Sequence, residues 1–490
     1  MTGRKISIDP MTRLEGHGKI DIYLDDNGDA ENAYLHVPEF RGFEKFSEGR
    51  AAEEMPALTQ KICGVCPTAH HTASVKTLDA IFDVQPPPAA KAIRELMYNA
   101  FIFEDHLLHF YFLGGPDFIL GPESPREQRN ILGVISRLGA DTGKAVIEIR
   151  KRVREVNGMI SGSPLYPVCG LPGGVSKPMI AEDIVKIRKT AEDAADFAKY
   201  TLGIFTETVL NNKAYRAMLE DNVYAPRTYH MGLVDENNKL NFYDGKIRVV
   251  DPDGKEFVKF EAKDYLEHLE EKVDVKSYVK LLYLKKIGWK GLAAGKGSGI
   301  YRVAPLSRMN ASDGVTTPDA QREYEKMYGT FGKKPVHNIF AYYWARLVEV
   351  LHAAERMKEI SADPCITDKK IRNIPANGPV RREGVGVCEA PRGTLFHHYR
   401  TDKKGIIEKA DLLVATQNNA AAICLSLSDA AKYLVKKGKV SEGILNRIEM
   451  VFRAYDPCLA CATHSLPGEM AMMIRIYDRE GALVREIRRD

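Results

Sequence analysis

The chain has 490 residues, of which 44% are hydrophobic and 28% charged, and its formal net charge is +4. These proportions are typical of a soluble globular protein with a sizeable core, and so slight a charge does not favour nucleic acid as a partner. No run approaches the roughly 18 uninterrupted apolar residues of a transmembrane helix, and the first residues lack the apolar segment of a signal peptide. We therefore expect a cytoplasmic protein that neither spans a membrane nor binds nucleic acid.

Period-two patterns over residues 5–24 and 33–37, with a turn at 26–28, predict a small β-structure at the start of the chain. Its connector, residues 12–18, contains Glu15. Two interpretations of this residue stay open: an ordinary solvated loop acid, or a carboxylate poised to relay protons.

Cysteine spacing is the most informative feature of the chain, which has eight cysteines. Two C-x-x-C pairs, 63/66 and 458/461, stand near opposite ends, and such pairs let two thiolates converge on a soft metal. Neither has the second ligand pair of a zinc ribbon nearby. If the two pairs share one metal, the fold must bring the two ends of the chain together around it. The other cysteines are scattered singly: Cys169, Cys365, Cys388 and Cys424.

Helical patterns dominate the middle of the chain. After a helical stretch at 49–60, Pro67 predicts the first turn of a helix that runs to about Phe82 and whose N-terminus lowers thiol pKa values. An apolar helix after Pro86–Pro88 is expected to be buried. Its His106 and His109 are either metal ligands or, the commoner case, hydrogen-bonded core histidines. Asp117 either caps the next element or faces a site.

Along the rest of the chain, segments with a helical pattern alternate with segments with a strand pattern. Amphipathic helices are predicted at 127–157 and 179–215, strands with two hairpin turns at 229–262, and more helices at 317–361 and 427–450. Strands are predicted from 384 and at 412–416, and a hairpin at 470–488. The predicted class is α+β and mostly α: long buried helices in a central bundle, peripheral β-hairpins, and the two cysteine pairs meeting at a buried metal site.

Arg392 lies between Pro391 and Gly393, with apolar strand residues on both sides. An arginine in such a tight loop is a poor surface residue. We interpret it as held in place to donate hydrogen bonds to an anionic group.

Five motifs in order resemble the large catalytic subunit of nickel–iron hydrogenases over essentially the full chain. They are Arg13–His17, Arg41–Glu44, Ile62–Cys66, Glu389–Gly393 and Asp456–His464. Several stretches look most like the soluble cytoplasmic branch, closest to its viologen-reducing, heterodisulfide-reductase-linked type. The bidirectional NAD-linked type is the near neighbour.

The resemblance implies a nickel–iron centre whose iron carries carbon monoxide and cyanide, and the reversible heterolytic cleavage of H2. It implies Cys63 and Cys458 as terminal nickel ligands, and Cys66 and Cys461 as bridges to the iron. Cys458 and then Glu15 would take the proton. Pro391 and Arg392 would contact the cyanide side of the iron, with Asp117 and Asp456 holding the arginine around the open site. A distal magnesium or iron ion is implied at Glu44, the Leu412 carbonyl and His464.

The resemblance also implies a maturation tail, so that residues 1–464 form one domain and 465–490 are cleaved after nickel loading. Implied partners are an iron–sulfur small subunit, a maturation endopeptidase, and nickel and iron insertion chaperones. An electron-transfer subunit with heterodisulfide reductase, or an NAD-linked flavin module, would take the electrons. The chain departs from the family at Lys61, where arginine is usual, and this leaves the hydrogen-bond pattern beside the small subunit or its cluster open.

Two other functions remain as alternatives. One is a non-catalytic scaffold with a four-cysteine zinc site, which elemental analysis would separate from a nickel–iron centre. The other is the related quinone-module subunit of respiratory complex I, which lacks the paired cysteines present here.

Overall fold

The computed structural model describes residues 4–39, 41–274, 277–375, 378–463 and 472–489. Most elements are helices, and the predicted α+β class is confirmed. The helices α1 to α16 are, in order, Phe43–Ser47, Met55–Thr59, Pro67–Ile81, Pro88–Leu108, Pro116–Ile119, Ile131–Leu138, Ala140–Ser161, Ala181–Phe205, Lys213–Glu220, Tyr265–His268, Pro305–Ala311, Pro318–Phe331, Ala341–Ala362, Ala415–Leu434, Glu442–Ala454 and Leu459–Ala462.

Short strands make up small, separate sheets. The strands β1 to β16 are, in order, Lys5–Ile8, Lys19–Leu24, Ala30–His36, Gly170–Leu171, Gly174–Val175, Tyr229–Val234, Lys246–Val250, Glu256–Phe260, Leu269–Lys272, Leu281–Leu284, Tyr301–Arg302, Glu383–Ala390, Gly393–Thr401, Ile407–Leu413, Met472–Tyr477 and Leu483–Arg489.

The core of the molecule is a helical bundle in which α13 packs against α4, α8 and α12, and α4 packs against α7. α4 begins at Pro88, where a missing backbone N–H costs nothing, and is apolar along most of its length. α13 is buried along nearly its whole length and carries Trp344, which is fully buried. Burial of both helices agrees with their apolar sequences.

Two predicted long helices are interrupted. The pattern at 127–157 is split into α6 and α7 by Gly139, whose φ of 95° lies outside the helical region. The segment predicted at 179–215 consists of α8, a short π-helix at Thr206–Leu210, and then α9. Side-chain periodicity continues across both breaks, so the sequence pattern alone did not reveal them.

The sheets bring the two ends of the chain together. The antiparallel sheet β1-β2-β3 packs against α14 through β3, and the sheet β12-β13-β14 packs against α3 through β12. The predicted strand from 384 is therefore a hairpin, interrupted at Pro391 and Arg392, and it is buried rather than peripheral. Near the C-terminus, Leu459 N donates to Glu15 O at 2.9 Å, and Arg41 N donates to Thr463 O at 2.9 Å.

The predicted C-terminal hairpin is confirmed as β15 and β16, which pair antiparallel. His464 lies outside the described residues, as do 465–471. Cleavage of the tail stays a prediction. In the described part of the chain, no helix combines the length and the apolar character needed to cross a membrane.

Candidate metal centre

Four cysteines from opposite ends of the chain meet at one buried point. Cys63 follows a turn of 3-10 helix, Cys66 caps α3, Cys458 caps α16, and Cys461 lies within α16. Their sulfur atoms all lie within 4.8 Å of one another. This grouping confirms that the two pairs share a site.

Contacts across the cluster join one residue of each pair. Sγ of Cys63 is 3.3 Å from Sγ of Cys458, and Sγ of Cys66 is 3.3 Å from Sγ of Cys461. Hydrogen bonds from Cys458 and Cys461 hold the pKa of Cys63 well below its ordinary value, while burial raises the pKa values of Cys458 and Cys461 well above theirs. The cluster thus holds one thiolate readily, but it holds more than one only when a cation balances the charge. Four thiolates are the set of ligands that a soft metal ion prefers.

Glu15 lies directly beside one of these sulfurs. Its Oε2 is 2.8 Å from Cys458 Sγ and accepts a hydrogen bond from Ala460 N at 3.1 Å. A parallel β-bridge between residues 15 and 458 sets this distance through the backbone. Burial, with the neighbouring Cys63, raises the pKa of Glu15. Glu15 is thus half-buried beside a sulfur rather than freely solvated, and its part in a proton relay stays a prediction.

Arg392 stands over the cluster from the β12–β13 hairpin, with 2% of its surface exposed. Its Nη1 is 3.1 Å from Asp105 Oδ2, and its Nη2 is 3.1 Å from Asp456 Oδ1. Among the described residues, its buried Nε has no hydrogen-bond partner. A buried donor without a partner costs about 1–3 kcal/mol, so the site has capacity for one further acceptor.

A small cavity lies between the arginine and the sulfurs. It is lined by Arg392, Cys66, Cys458, Cys461, Val414 and Thr416, among others. The donor set, the unpaired guanidinium N–H and this space together fit a soft metal centre with an anionic ligand facing Arg392.

Arg308 holds the hairpin that carries Arg392. Its Nη1 donates to Ala390 O at 2.7 Å and its Nη2 to Pro391 O at 3.4 Å, and it forms ion pairs with Glu349 and Glu389. Gly393, at a φ of 130°, passes so close to Val303 that an added Cβ would lie 2.1 Å from its Cγ2. The sequence analysis missed Arg308 because no motif or predicted element singled out this position and its partners are distant in the chain.

The prediction that Asp117 holds Arg392 is wrong. Asp117 is fully buried and pairs instead with Arg13 and Arg453. Asp105, in α4, takes the position beside Arg392, together with Asp456 as predicted. Asp105 was hidden in an apolar helix, and its only signal was an acid one residue before His106.

His106 and His109 are core residues in the described structure. His106 Nε2 is 2.7 Å from Glu349 Oε2, and His109 Nε2 donates to Arg453 O at 2.8 Å. The sequence analysis also missed His70, whose Nε2 is 3.4 Å from Cys461 Sγ. Its position four residues after Cys66 in a predicted helix was a usable signal, because residues i and i+4 share one helix face.

Glu44 lies at a second buried place, behind β14. It accepts a hydrogen bond from Leu412 N at 2.7 Å, and burial raises its pKa to about 8. In a strand, the N–H and C=O of one residue point to the same side, so the Leu412 carbonyl also faces the Glu44 side of β14. The third predicted ligand, His464, lies outside the described residues.

Lys61, where the chain departs from the family, lies over an aromatic ring: its Nζ is 3.6 Å from the Tyr166 ring centroid.

Two family models match the chain, and residues 161–296 lie between the matched segments. A family described as nickel-dependent hydrogenase matches residues 41–160 and 297–464, and one described as HoxL-like matches residues 5–40. The chain is 43% identical to an F420-non-reducing hydrogenase iron-sulfur subunit of Archaeoglobus profundus, over 99% of both chains. It is 37% identical to NAD-reducing hydrogenase HoxS subunit beta of Cupriavidus necator, again over 99% of both.

Solved structures agree with these matches. The chain superposes on an NAD+-reducing NiFe hydrogenase in its H2-reduced state with a TM-score of 0.87 at 33% identity, covering 94% of this chain and 99% of the other. A Ni-Fe-Se hydrogenase from D. vulgaris Hildenborough gives a TM-score of 0.71 at 22% identity, over 94% and 100% of the two chains. The second match shows the shared fold alone.

Proposed function

The chain belongs to the nickel-dependent hydrogenase family, as a catalytic large subunit, and from this premise we propose how its residues act. Cys63, Cys66, Cys458 and Cys461 would hold a nickel–iron centre, with Cys63 and Cys458 as ligands of the nickel and Cys66 and Cys461 as ligands shared with the iron. The observation that carries this proposal is the grouping of four buried sulfurs within 4.8 Å, with one of them 2.8 Å from a carboxylate.

Arg392 and Pro391 face the iron side of the centre. Carbon monoxide and cyanide on the iron are supported by the unpaired Arg392 Nε and the cavity next to it. A guanidinium N–H directed at a cyanide nitrogen would make a charge-assisted hydrogen bond. Asp105 and Asp456 keep the guanidinium plane in place, so that its position does not depend on the ligand.

Proton transfer runs through two groups of this chain. The bound nickel–iron pair supplies the acceptor for the electron pair of H2 during heterolytic cleavage. Cys458 Sγ then takes the proton and passes it over 2.8 Å to Glu15 Oε2. Burial raises the pKa of Glu15 toward the range in which a carboxylate both accepts and releases protons.

Electrons leave through a partner. The only cluster of metal-ligating residues in the described ranges is the four-cysteine group, and the remaining cysteines are single. An iron–sulfur small subunit therefore receives the electrons. The F420-non-reducing relatives are the more similar ones by identity, which favours the viologen-reducing, heterodisulfide-reductase-linked type. The NAD-reducing relative supplies the second candidate, in which an NAD-linked flavin module would take the electrons.

Three further assignments complete the proposal. A magnesium or iron ion binds at Glu44, the Leu412 carbonyl and His464, supported by the burial of Glu44 beside β14. An endopeptidase removes residues 465–490 after insertion chaperones have supplied nickel and iron. The enzyme works in the cytoplasm.

Purification of the chain with its associated subunits tests this function. We expect nickel and iron together in elemental analysis, H2-dependent reduction of a viologen dye, and an intact mass that ends at His464. Zinc without nickel would support the scaffold alternative instead. A co-purifying flavin subunit with H2-dependent NAD+ reduction would replace the heterodisulfide-reductase assignment, and an active chain that retains residues 465–490 would reject the cleavage.

A further inference from the structure

A row of buried polar side chains leads away from Cys461. His70 Nε2 is 3.4 Å from Cys461 Sγ, and its Nδ1 is 3.1 Å from His397 Nε2. His397 Nδ1 is in turn 2.5 Å from the Tyr399 hydroxyl oxygen, which is also 3.0 Å from Ser74 Oγ. Each of these side chains is at most 1% exposed.

The row is built by two elements with different periods. His70 and Ser74 are four residues apart on α3, and His397 and Tyr399 are two residues apart on β13. These spacings place each pair on one face of its element. Because α3 packs directly against β13 as well as β12, the two faces meet, and the row passes from α3 to β13 and back to α3.

The row has two self-consistent directions. A neutral imidazole donates from one nitrogen and accepts at the other, and a tyrosine has a single proton to donate. If Tyr399 donates to Ser74, His397 Nδ1–H donates to Tyr399, and His70 turns an unprotonated Nε2 toward the sulfur. If Tyr399 donates to His397, both rings reverse, and His70 turns an Nε2–H toward the sulfur.

A metal-bound thiolate accepts hydrogen bonds but cannot donate one. An unprotonated Nε2 at 3.4 Å would place two electron pairs against each other, so only the second direction suits a metal-bound Cys461. We propose that Tyr399 is a positioning residue: by donating its proton to His397, it fixes the tautomer of His70 that donates to the Cys461 thiolate. This inference rests on the proposed function, because it requires a metal on Cys461.

The hydrogen bond from His70 withdraws electron density from the bridging sulfur and hence from the iron. Hydrogen bonds to ligand sulfurs are an established means of setting reduction potentials. Without the Tyr399 proton, His397 is no longer held in one tautomer and the bond to the sulfur weakens. The iron then becomes more electron-rich.

Infrared spectroscopy and redox titration of the purified complex test the role of Tyr399. In Tyr399→Phe, we expect the CO and CN stretching bands to move to lower wavenumber and the midpoint potential of the nickel signal to become more negative, at wild-type nickel content. Tyr111→Phe is the matched control, since it loses a similar buried hydroxyl contact, 2.9 Å from Thr201 Oγ1, away from the row. Its bands and potential should stay at wild-type values.

Ser74→Ala separates proton donation from simple packing. It removes the competing acceptor, so that Tyr399 still donates to His397, and we expect bands at wild-type positions or at higher wavenumber. This variant also decides the matter if Tyr399→Phe fails to fold. Bands that move to lower wavenumber in Ser74→Ala, or that stay unchanged in loaded Tyr399→Phe, would overturn the role of Tyr399. A wild-type enzyme without CO and CN bands would overturn the proposed centre, and this inference with it.

Discussion

Two clusters of charged side chains, opposite in composition, lie near the cysteine site in the chain's fold. We call Arg392 with Asp105 and Asp456 the open cluster, and Asp117 with Arg13 and Arg453 the closed cluster. All three carboxylates are buried, with at most 3% of their surface exposed. The clusters differ in how completely their hydrogen-bonding atoms are used.

The closed cluster is nearly saturated. Asp117 Oδ2 accepts from Arg453 Nε at 2.7 Å, and Oδ1 accepts from both Arg13 and Arg453. Although burial alone would raise it, the pKa of Asp117 is lowered by these two arginines. The open cluster leaves Arg392 Nε and Asp105 Oδ1 without partners among the described residues, and burial raises the pKa of Asp105 to about 7.

The difference shows which cluster serves the fold and which serves the site. Arg13 lies two residues before Glu15, and Arg453 lies five before Cys458. By holding both arginines, Asp117 joins the segment that carries Glu15 to the segment that carries Cys458. The open cluster holds Arg392 from two sides and leaves a donor free for a further group.

The largest expected effect of a substitution on activity is at the four sulfurs. Cys458→Ser should reduce bound nickel and H2-dependent viologen reduction to background, because an alcohol is a hard, weakly acidic ligand in place of a soft thiolate. Elemental analysis and dye reduction measure both losses. Cys365→Ser, at a partly exposed cysteine outside the site, should change neither. Full nickel content in Cys458→Ser would contradict the ligand assignment.

Glu15→Gln should slow turnover while it leaves the centre intact. Loss of one positioned proton-transfer group typically costs about 10²- to 10⁴-fold. Dye reduction should fall by that order, with nickel content and thermal stability near the wild-type values. Glu15→Asp, which keeps the carboxylate but shortens its reach, should recover part of the rate. Wild-type turnover in Glu15→Gln would place the proton path elsewhere.

The comparison of the two clusters predicts unequal costs for the same substitution. Asp117→Asn removes the charge that Arg13 and Arg453 share, and breaking a buried ion pair costs about 3–5 kcal/mol, although Arg453 keeps its second partner, Glu449. Asp105→Asn keeps Arg392 paired with Asp456, so about 1–2 kcal/mol is expected. Thermal unfolding of both variants beside the wild type measures the difference. Equal losses would show that saturation of hydrogen bonds does not distinguish the clusters.

The sequence predicted the parts of this site that belong to short, local patterns. The cysteine spacings, Glu15 and Arg392 were accessible because each stands in a motif or an unusual loop. Asp105 and Arg308 were not, because neither stands in a motif and their partners, Arg392, Glu349 and Glu389, are distant in the chain. Asp117 was misassigned for a related reason: the family resemblance placed it near the site, but the choice among several arginines depends on tertiary packing.

The period of the apolar residues predicted correctly which segments are helices and which are strands, and the errors fell where a helix or strand is interrupted. Gly139 ends α6 without breaking the apolar stripe, and the short π-helix after α8 shifts the register only locally. The burial of the β12–β13 hairpin was also missed, since a strand that packs against α3 shows the same alternation as one at the surface.

The smallest effect, and the sharpest contrast between the two clusters, should be in how the stability of the Asp117 and Asp105 variants depends on pH. The folded pKa of Asp117 lies below its unfolded value near 3.9, so its stabilisation is present above that pH and is lost as pH falls through the folded pKa. Asp105 has a folded pKa raised to about 7, so its contribution has the opposite sign: it favours folding below the unfolded pKa and is lost as pH rises toward 7. The stability gap between wild type and Asp117→Asn should therefore shrink below about pH 4. The gap for Asp105→Asn should instead grow in favour of the variant between about pH 4 and 7. Thermal unfolding across this range measures both gaps, and gaps that change in the same direction would show that the two clusters titrate alike.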